Sequence, residues 1–261
     1  MRKTNRDRRE DLAVTLATFF KQNPRAALAF SGGTDSSYLL YEARKSGCDV
    51  QAFFVKTAFQ PQFELDDALR LAKDVGAPVE VLEFDILGRK DVAQNPQNRC
   101  YYCKRALLGL LRQEATKRGF EVLMDGTNAS DDAGDRPGMK ALAELRVLSP
   151  LRECGLTKDE IRLHSREAGL FTWNKPAYAC LATRIPCGTP ITAEALRRAD
   201  QSEEFLRSLG FSDLRVRVLG STAKIQLPQD QLTSAAQHAD EIHRGLSPYF
   251  SDVLLDLKPR Q

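Results

Sequence analysis

Residues 26–37, AALAFSGGTDSS, restrict the fold of this chain more than any other stretch. Ala26 to Phe30 form an apolar run of strand length, and small residues and hydroxyls from Ser31 to Ser37 stand where a helix must begin. Leu39, Leu40 and Ala43 give that helix its apolar face, and Gly47 suits its C-terminal stop. The adjacent Gly32 and Gly33 let backbone N–H groups close around an oxyanion with no Cβ in the way. The helix N-terminus adds partial positive charge and unpaired donors. The turn is therefore built to hold phosphate, with Ser31, Ser36 and Ser37 as hydroxyl donors and Asp35 placed to position a magnesium ion. The pattern GxxxxGK[ST] is absent, so this is not the loop that sets a lysine on the β- and γ-phosphates.

Strands and helices alternate from there. An N-terminal helix is expected around Leu12, Leu16, Phe19 and Phe20. Strands are expected at Val50–Lys56, Val79–Phe84 and Glu121–Asp125, with a fifth at Val147–Leu151. Helices are expected at Phe63–Val75 and Lys104–Lys117, each stopped by a glycine. Thr157 to Glu160 (TKDE) reads as a capping box for a helix ending near Ala168. This alternation predicts an α/β fold, a parallel sheet with helices on both faces, with ligands bound beyond the carboxyl ends of the strands.

The pattern breaks at Phe171–Pro190, rich in Pro, Gly, Cys and Thr, and such a break is commonly functional. Beyond it, a helix (Thr192–Leu209), strands at Leu214–Val218 and Lys224–Leu227, a helix (Gln229–Arg244) and a last strand (Asp252–Leu257) predict a smaller α/β unit. The expected division is 1–170, a cysteine-bearing loop 171–190, and 191–261. With 261 residues, 42% apolar and 28% charged, the chain reads as a globular protein. The basic N-terminus lacks the apolar segment of a signal peptide and no stretch reaches membrane-spanning length, so the expected location is the cytoplasm, with thiols reduced. A net charge of +3 is too slight to argue for nucleic acid.

Two further constellations carry chemistry. Asp125 to Asn128 (DGTN) follows the fourth strand and should approach the same sheet edge: Gly126 for close backbone contact, Thr127 and Asn128 as donors, and Asp131, Asp132 and Asp135 close behind. A carboxylate there, Asp131 foremost, would share Mg²⁺ with a triphosphate. Cys180 and Cys187 lie in PAYACLATRIPCGTP with Arg184 between them, and an arginine nearby favours thiolate, so Cys180 is a candidate nucleophile or sulfur donor. Cys154 could converge on the same region, since three cysteines can hold three irons of a [4Fe–4S] cluster and leave the fourth open. Cys100 and Cys103 form a CxxC at a helix start, with structural, substrate-proximal, metal and redox readings all open. Cys48 sits on an expected surface turn, and His238 and His243 lie too far along the chain to complete a zinc site. Arg215 and Arg217 alternate on one strand and so share a face, suited to clamping a phosphate or carboxylate or to facing water.

The SGGTDSS turn resembles the PP-loop of ATP pyrophosphatases, enzymes that cleave ATP to AMP and pyrophosphate while activating a carbonyl or carboxylate. Taken with NRCYYCK, DGTN, DRPG, SPLREC, WNKPAYACLATRIPCGTPIT and LRVRV, it is similar to the LarE family, the PP-loop sulfur transferases of nickel-pincer nucleotide cofactor biosynthesis. The likeness runs from about Leu28 to about Leu257 and is most specific at KPxxxCLAxRxPxGT. It implies that ATP and Mg²⁺ serve to adenylate a carboxylate of pyridinium-3,5-biscarboxylic acid mononucleotide. A cysteine thiolate then displaces AMP, and the sulfur stays on the substrate while the cysteine becomes dehydroalanine. The matching cysteine is Cys180, and Arg215 and Arg217 would hold anionic groups of the substrate. Some LarE-like proteins instead carry three cysteines around a [4Fe–4S] cluster whose open iron holds the donated sulfide. Cys187 stands where sacrificial forms often have an aromatic residue, which together with Cys154 favours that version here, with Cys154, Cys180 and Cys187 as ligands and Cys100 or Cys103 as substitutes for Cys154. The likeness also implies a homo-oligomer. The competing expectations are a tRNA-thiolating PP-loop enzyme and a non-catalytic adenine-nucleotide-binding protein.

Overall fold

A computed structural model describes residues 16–131 and 136–260. Leu12 of the expected first helix, Asp132 and Asp135, the first residue of DRPG, lie outside them. The chain divides into two compact units: one reaches to Thr57 and adds Gln62–Phe84 and Cys100–Ala177, and the other comprises Ala58–Pro61, Asp85–Arg99 and Tyr178–Gln261.

In the first unit, helix α1 (16–22) leads into strand β1 (Arg25–Ala29), followed by α2 (Thr34–Lys45), β2 (Asp49–Lys56), α3 (Gln62–Asp74) and β3 (Val79–Glu83). The strands are parallel in the order β3-β2-β1-β4, with β4 at Leu123–Asp125. Helices cover both faces. Ala26, Leu28, Val50, Ala52 and Phe54 join a core with Leu39, Leu40, Leu71 and Ile161. Ala27, Phe53 and Leu123 join another with Leu108, Leu111, Ala115 and Leu142. Burial on both faces is why β1 is apolar at successive positions rather than alternate ones, and each fully buried leucine contributes about 2 kcal/mol. Because the chain moves outward from β1 through β2 to β3 and then returns to β1's other side for β4, the sheet switches direction between β1 and β4. The loops after those two strands thus open beside each other, at the ligand crevice of open parallel sheets.

Helix α4 (Lys90–Ala93) lies in the other unit and α5 (Arg99–Lys117) precedes β4, starting five residues ahead of the expected Lys104, so that Cys100 and Cys103 stand in its first turn. Helix α6 (Arg136–Glu144) has no counterpart among the expected elements. The expected fifth strand at Val147–Leu151 does not form. Only Leu148 makes an isolated parallel bridge, to Met124, and Pro150 starts the short helix α7 (Pro150–Glu153), since a proline fits a helix's first position but not a ladder. Helix α8 (Lys158–Glu167) carries the expected capping box: the Thr157 hydroxyl oxygen accepts from the Glu160 N–H while a Glu160 carboxylate oxygen accepts from the Thr157 N–H.

In the second unit α9 (Ala193–Ser208), capped by Thr192, packs on a three-stranded sheet of order β5-β6-β7. Strands β5 (Arg215–Leu219) and β6 (Thr222–Gln226) are antiparallel, and β7 (Asp252–Leu255) runs parallel to β6. The single helix expected over Gln229–Arg244 is a short 3-10 turn (Gln229–Gln231), α10 (Leu232–Gln237) and α11 (Ala239–Leu246), broken at His238. Leu196, Ala199, Leu206, Val216, Ala223, Ile225, Ile242 and Leu246 are buried.

Candidate active site

At the carboxyl end of β1, Gly33 is the N-cap of α2 in an extended conformation, and no side chain caps the helix. A helix start without an internal cap leaves N–H donors for an external oxyanion. Gly32 has φ +69°, and a Cβ on it would stand 2.8 Å from the Ala68 Cβ, so any other residue is strained there twice over. The Ser31 and Ser36 hydroxyls lie 3.0 Å apart, and Ser36 Oγ also donates to the Gly33 carbonyl at 3.2 Å. Ser31 is exposed, whereas Ser37, expected as a further donor, is fully buried and its hydroxyl has no hydrogen-bond partner. Thr34 Oγ1 ties the turn to the Thr172 carbonyl at 2.8 Å.

Asp35 meets a partner that the sequence reading missed. Its Oδ2 accepts from Lys158 Nζ at 2.6 Å, while its buried Oδ1 has no hydrogen-bond partner. Burial raises the Asp35 pKa above the ordinary carboxylate range, Lys158 opposes that rise, and the charge on Asp131 reinforces it. A lysine in the first turn of α8 works against the helix dipole, and that misfit was the available signal for its pairing.

The DGTN segment reaches the same place. A Cβ on Gly126 would lie 2.8 Å from the Ser36 backbone nitrogen, so the loop after β4 presses directly on the start of α2, as expected. Thr127 is committed internally rather than offered to a ligand: its hydroxyl donates to Asp125 Oδ2 at 2.5 Å and its N–H to Asp125 Oδ1 at 3.2 Å. Ser149 Oγ adds a bond to Asp125 Oδ1 at 2.7 Å. Asp131 Oδ2 accepts from the Asn128 N–H at 2.8 Å, which keeps this carboxylate beside the loop. Asp35 and Asp131 supply hard oxygens suited to Mg²⁺, and the orphaned Asp35 Oδ1 is a ligand position in want of a partner.

The second unit orders the cysteine-bearing segment. Cys180, half-buried, precedes a 3-10 turn at Leu181–Arg184, and its carbonyl accepts from the N–H and the hydroxyl of Thr183, each at 2.9 Å. The Leu181 N–H donates to the Phe59 carbonyl at 2.9 Å. Asn95, fully buried with φ 55°, donates to the Pro186 carbonyl at 2.8 Å and accepts from Arg99 Nη1 at 2.7 Å, while Arg99 Nη1 also donates to the Ala182 carbonyl at 3.0 Å. The exposed Cys187 lies with its Sγ 3.6 Å from the Asn95 carbonyl. Neither Asn95 nor Arg99 was singled out in the sequence, because their partners lie about ninety positions away.

Arg184 is fully buried and paired with the equally buried Glu203, Nε to Oε1 at 2.6 Å and Nη2 to Oε2 at 3.0 Å. Its Nη1 donates to the Ala179 carbonyl and to Thr183 Oγ1, both at 2.8 Å. The guanidinium therefore braces the turn around Cys180 through carbonyls and a carboxylate. Removing one partner of a buried pair leaves the other charge uncompensated. Arg184→Met is expected to destabilise the protein by roughly 4 kcal/mol, and Arg184→Met with Glu203→Leu to recover most of that loss, both read from urea unfolding. Equal losses in the two variants would contradict this assignment.

Arg215 is buried, donates to the Leu214 carbonyl at 2.7 Å and lies 5.0 Å over the Tyr178 ring. Arg217 donates to the Thr183 carbonyl and, at 2.9 Å, to Gln226 Oε1. Burial, with Arg184 and Arg260 nearby, lowers the pKa of both, that of Arg215 to about 10. Such a concentration of guanidiniums favours an anion.

Among the described residues no group of three or more His, Cys, Asp and Glu is arranged to hold a metal ion. Cys154 belongs to the first unit, and Cys180 and Cys187 to the second. Burial and the adjacent Glu153 push the Cys154 thiol up to about 11. Cys48, expected on the surface, is buried, its Sγ donating to the Asn23 carbonyl. No described helix is long and apolar enough to cross a membrane.

Comparison with known proteins is decisive at the family level. The chain is 33% identical over 247 residues to the pyridinium-3,5-bisthiocarboxylic acid mononucleotide synthase of Lactiplantibacillus plantarum, covering 94% of this chain and 90% of that one. This chain belongs to the LarE family. An uncharacterized protein from Synechocystis sp. is 37% identical over 233 residues, 87% of this chain and 85% of its own. A tRNA-specific 2-thiouridylase of Thermotoga petrophila is 25% identical over 193 residues, 58% of this chain and 54% of that protein. No family model matches the chain. The parallel sheet with its phosphate-type turn is the architecture that membership of the LarE family leads one to expect.

Proposed function

We propose that the chain is an ATP-dependent sulfurtransferase that forms AMP and pyrophosphate and converts a carboxylate of pyridinium-3,5-biscarboxylic acid mononucleotide into a thiocarboxylate. The observation that carries the reading is the uncapped start of α2 at the β1–β4 switch, pressed by Gly126, in a chain 33% identical to a synthase of the bisthiocarboxylic acid mononucleotide. The donors around Ser31, Gly32, Gly33 and Ser36 hold the triphosphate. Asp35 and Asp131 would hold Mg²⁺, which supplies charge neutralisation for the departing pyrophosphate. Lys158 pairs with Asp35 in the free protein at 2.6 Å, and its ammonium would assist the same phosphates.

A substrate carboxylate oxygen attacks the α-phosphorus, and pyrophosphate leaves. The Cys180 thiolate then forms a C–S bond to the activated carbon as the C–O bond to AMP breaks, since a thiolate is a good nucleophile for an acyl phosphate. Loss of the Cys180 Cα proton and cleavage of its Cβ–S bond leave sulfur, with the bonding pair, on the substrate and dehydroalanine at position 180. Arg215 and Arg217 hold the substrate's anionic groups, while Arg184 shapes the turn. The reading takes the sulfur from Cys180 itself; the alternative is sulfide on a [4Fe–4S] cluster held by Cys154, Cys180 and Cys187, which iron and labile-sulfide content of the purified protein would reveal. It includes a homo-oligomer acting in the cytoplasm. A tRNA substrate has weaker support, because the thiouridylase likeness spans about half of that protein and the net charge is only +3. The test follows the substrate's carboxylate oxygen into AMP.

A further inference from the structure

Helix α9 presents Leu196, Ala199 and Leu206 to the interior, and Glu203 stands on the same stripe with no solvent exposure. A carboxylate at such a position must be fully matched by donors. Glu203 Oε1 accepts from Arg184 Nε at 2.6 Å and from the Val216 N–H at 3.0 Å, and Oε2 accepts from Arg184 Nη2 at 3.0 Å and the Tyr178 hydroxyl at 2.8 Å. Tyr178 precedes Cys180 by two positions and Arg184 follows it by four. Both flanks of the cysteine thus end on one carboxylate. The Tyr178 ring is held further by the guanidiniums of Arg184 at 4.8 Å and Arg215 at 5.0 Å. Arg184 Nη1 closes the turn from inside, at 2.8 Å from the Ala179 carbonyl and 3.5 Å from that of Cys180. All four groups arriving at Glu203 are donors, so an amide in its place would turn its own N–H against one of them.

We propose that Glu203 is a positioning residue for sulfur transfer, fixing the Cys180 turn by both flanks. It touches neither substrate nor sulfur and acts through Arg184 and Tyr178. The proposal rests on the reading of Cys180 as sulfur donor. Displacement of a reacting group by about 1 Å costs on the order of 100-fold in rate.

The test uses the full chain with ATP, Mg²⁺ and pyridinium-3,5-biscarboxylic acid mononucleotide, following pyrophosphate release and thiocarboxylate formation separately. In Glu203→Gln, pyrophosphate release is expected within about twofold of wild type and thiocarboxylate formation reduced on the order of 100-fold. In Tyr178→Phe, which keeps the ring and removes one bond, the sulfur step is expected to fall about tenfold, again without loss of pyrophosphate release. Unchanged sulfur transfer in either folded variant, or equal loss of both activities, overturns the proposal. If Glu203→Gln does not fold, Tyr178→Phe decides alone. If the wild-type protein releases no pyrophosphate, the functional reading fails by itself. The positioning claim is then read from iodoacetamide alkylation of Cys180, expected to speed up severalfold in the variants and overturned by an unchanged rate.

Discussion

Cys180→Ala is expected to lower thiocarboxylate formation at least a thousandfold while leaving ATP-derived pyrophosphate release within about threefold of wild type. The separation follows from the chemistry of the two half-reactions. Adenylation needs phosphate donors, a divalent cation and a carboxylate, none of which Cys180 supplies. Acyl transfer needs a nucleophile that ends as the sulfur of the product. The Leu181 N–H bond to Phe59 and the Arg99 and Arg217 bonds around the turn involve backbone atoms near position 180 rather than its sulfur, so alanine keeps their geometry. Product mass and pyrophosphate are measured on the same sample. Wild-type chains should lose one H₂S per chain, in a single turnover, visible in the intact mass. A Cys180→Ala protein that still makes thiocarboxylate, or wild-type turnover without that mass loss but with iron and labile sulfide present, would move the sulfur source away from this thiol.

Asp35→Asn is expected to reduce pyrophosphate release and thiocarboxylate formation together, by about 100- to 1,000-fold. The parallel loss is the diagnostic feature, because adenylation precedes sulfur transfer and both products depend on it. Asparagine keeps the shape and one oxygen but removes the charge that faces Lys158 at 2.6 Å and that would hold a divalent cation. With the carboxylate gone, the Lys158 ammonium has no counter-charge in that contact and the buried position at Oδ1 loses its negative oxygen. Rate measurements across Mg²⁺ concentrations should show a weakened metal dependence. Sulfur transfer unaffected by this substitution would remove the turn after β1 from the chemistry altogether.

The sheet was legible because strands buried on both faces leave continuous apolar runs: Ala26 to Phe30 and VQAFFVK at positions 50–56 announce themselves without tertiary information. The nucleotide-type turn was legible for a related reason, since glycines, hydroxyls and a helix start must be contiguous to work. Val147 to Leu151 misled because its apolar content suits a strand while Pro150 suits a helix start, and the proline's missing N–H decided the outcome. His238 broke the expected long helix, its carbonyl side continuing into α11 rather than extending α10. Partners distant in sequence were not legible. Lys158 for Asp35 and Asn95 for the Pro186 carbonyl each depend on which loops the sheet brings together. Glu203 left a trace, a glutamate among Leu196, Ala199 and Leu206 at helical spacing, but nothing in the pattern names Arg184 as its partner.

A carboxylate primed by ATP must hand one of its oxygens to the nucleotide. With the pyridinium substrate carrying heavy oxygen in its carboxylates, single-turnover reaction and mass spectrometry of the AMP provide the most direct check. The account predicts one labelled oxygen in AMP and none in pyrophosphate. Unlabelled AMP accompanying thiocarboxylate formation would contradict it.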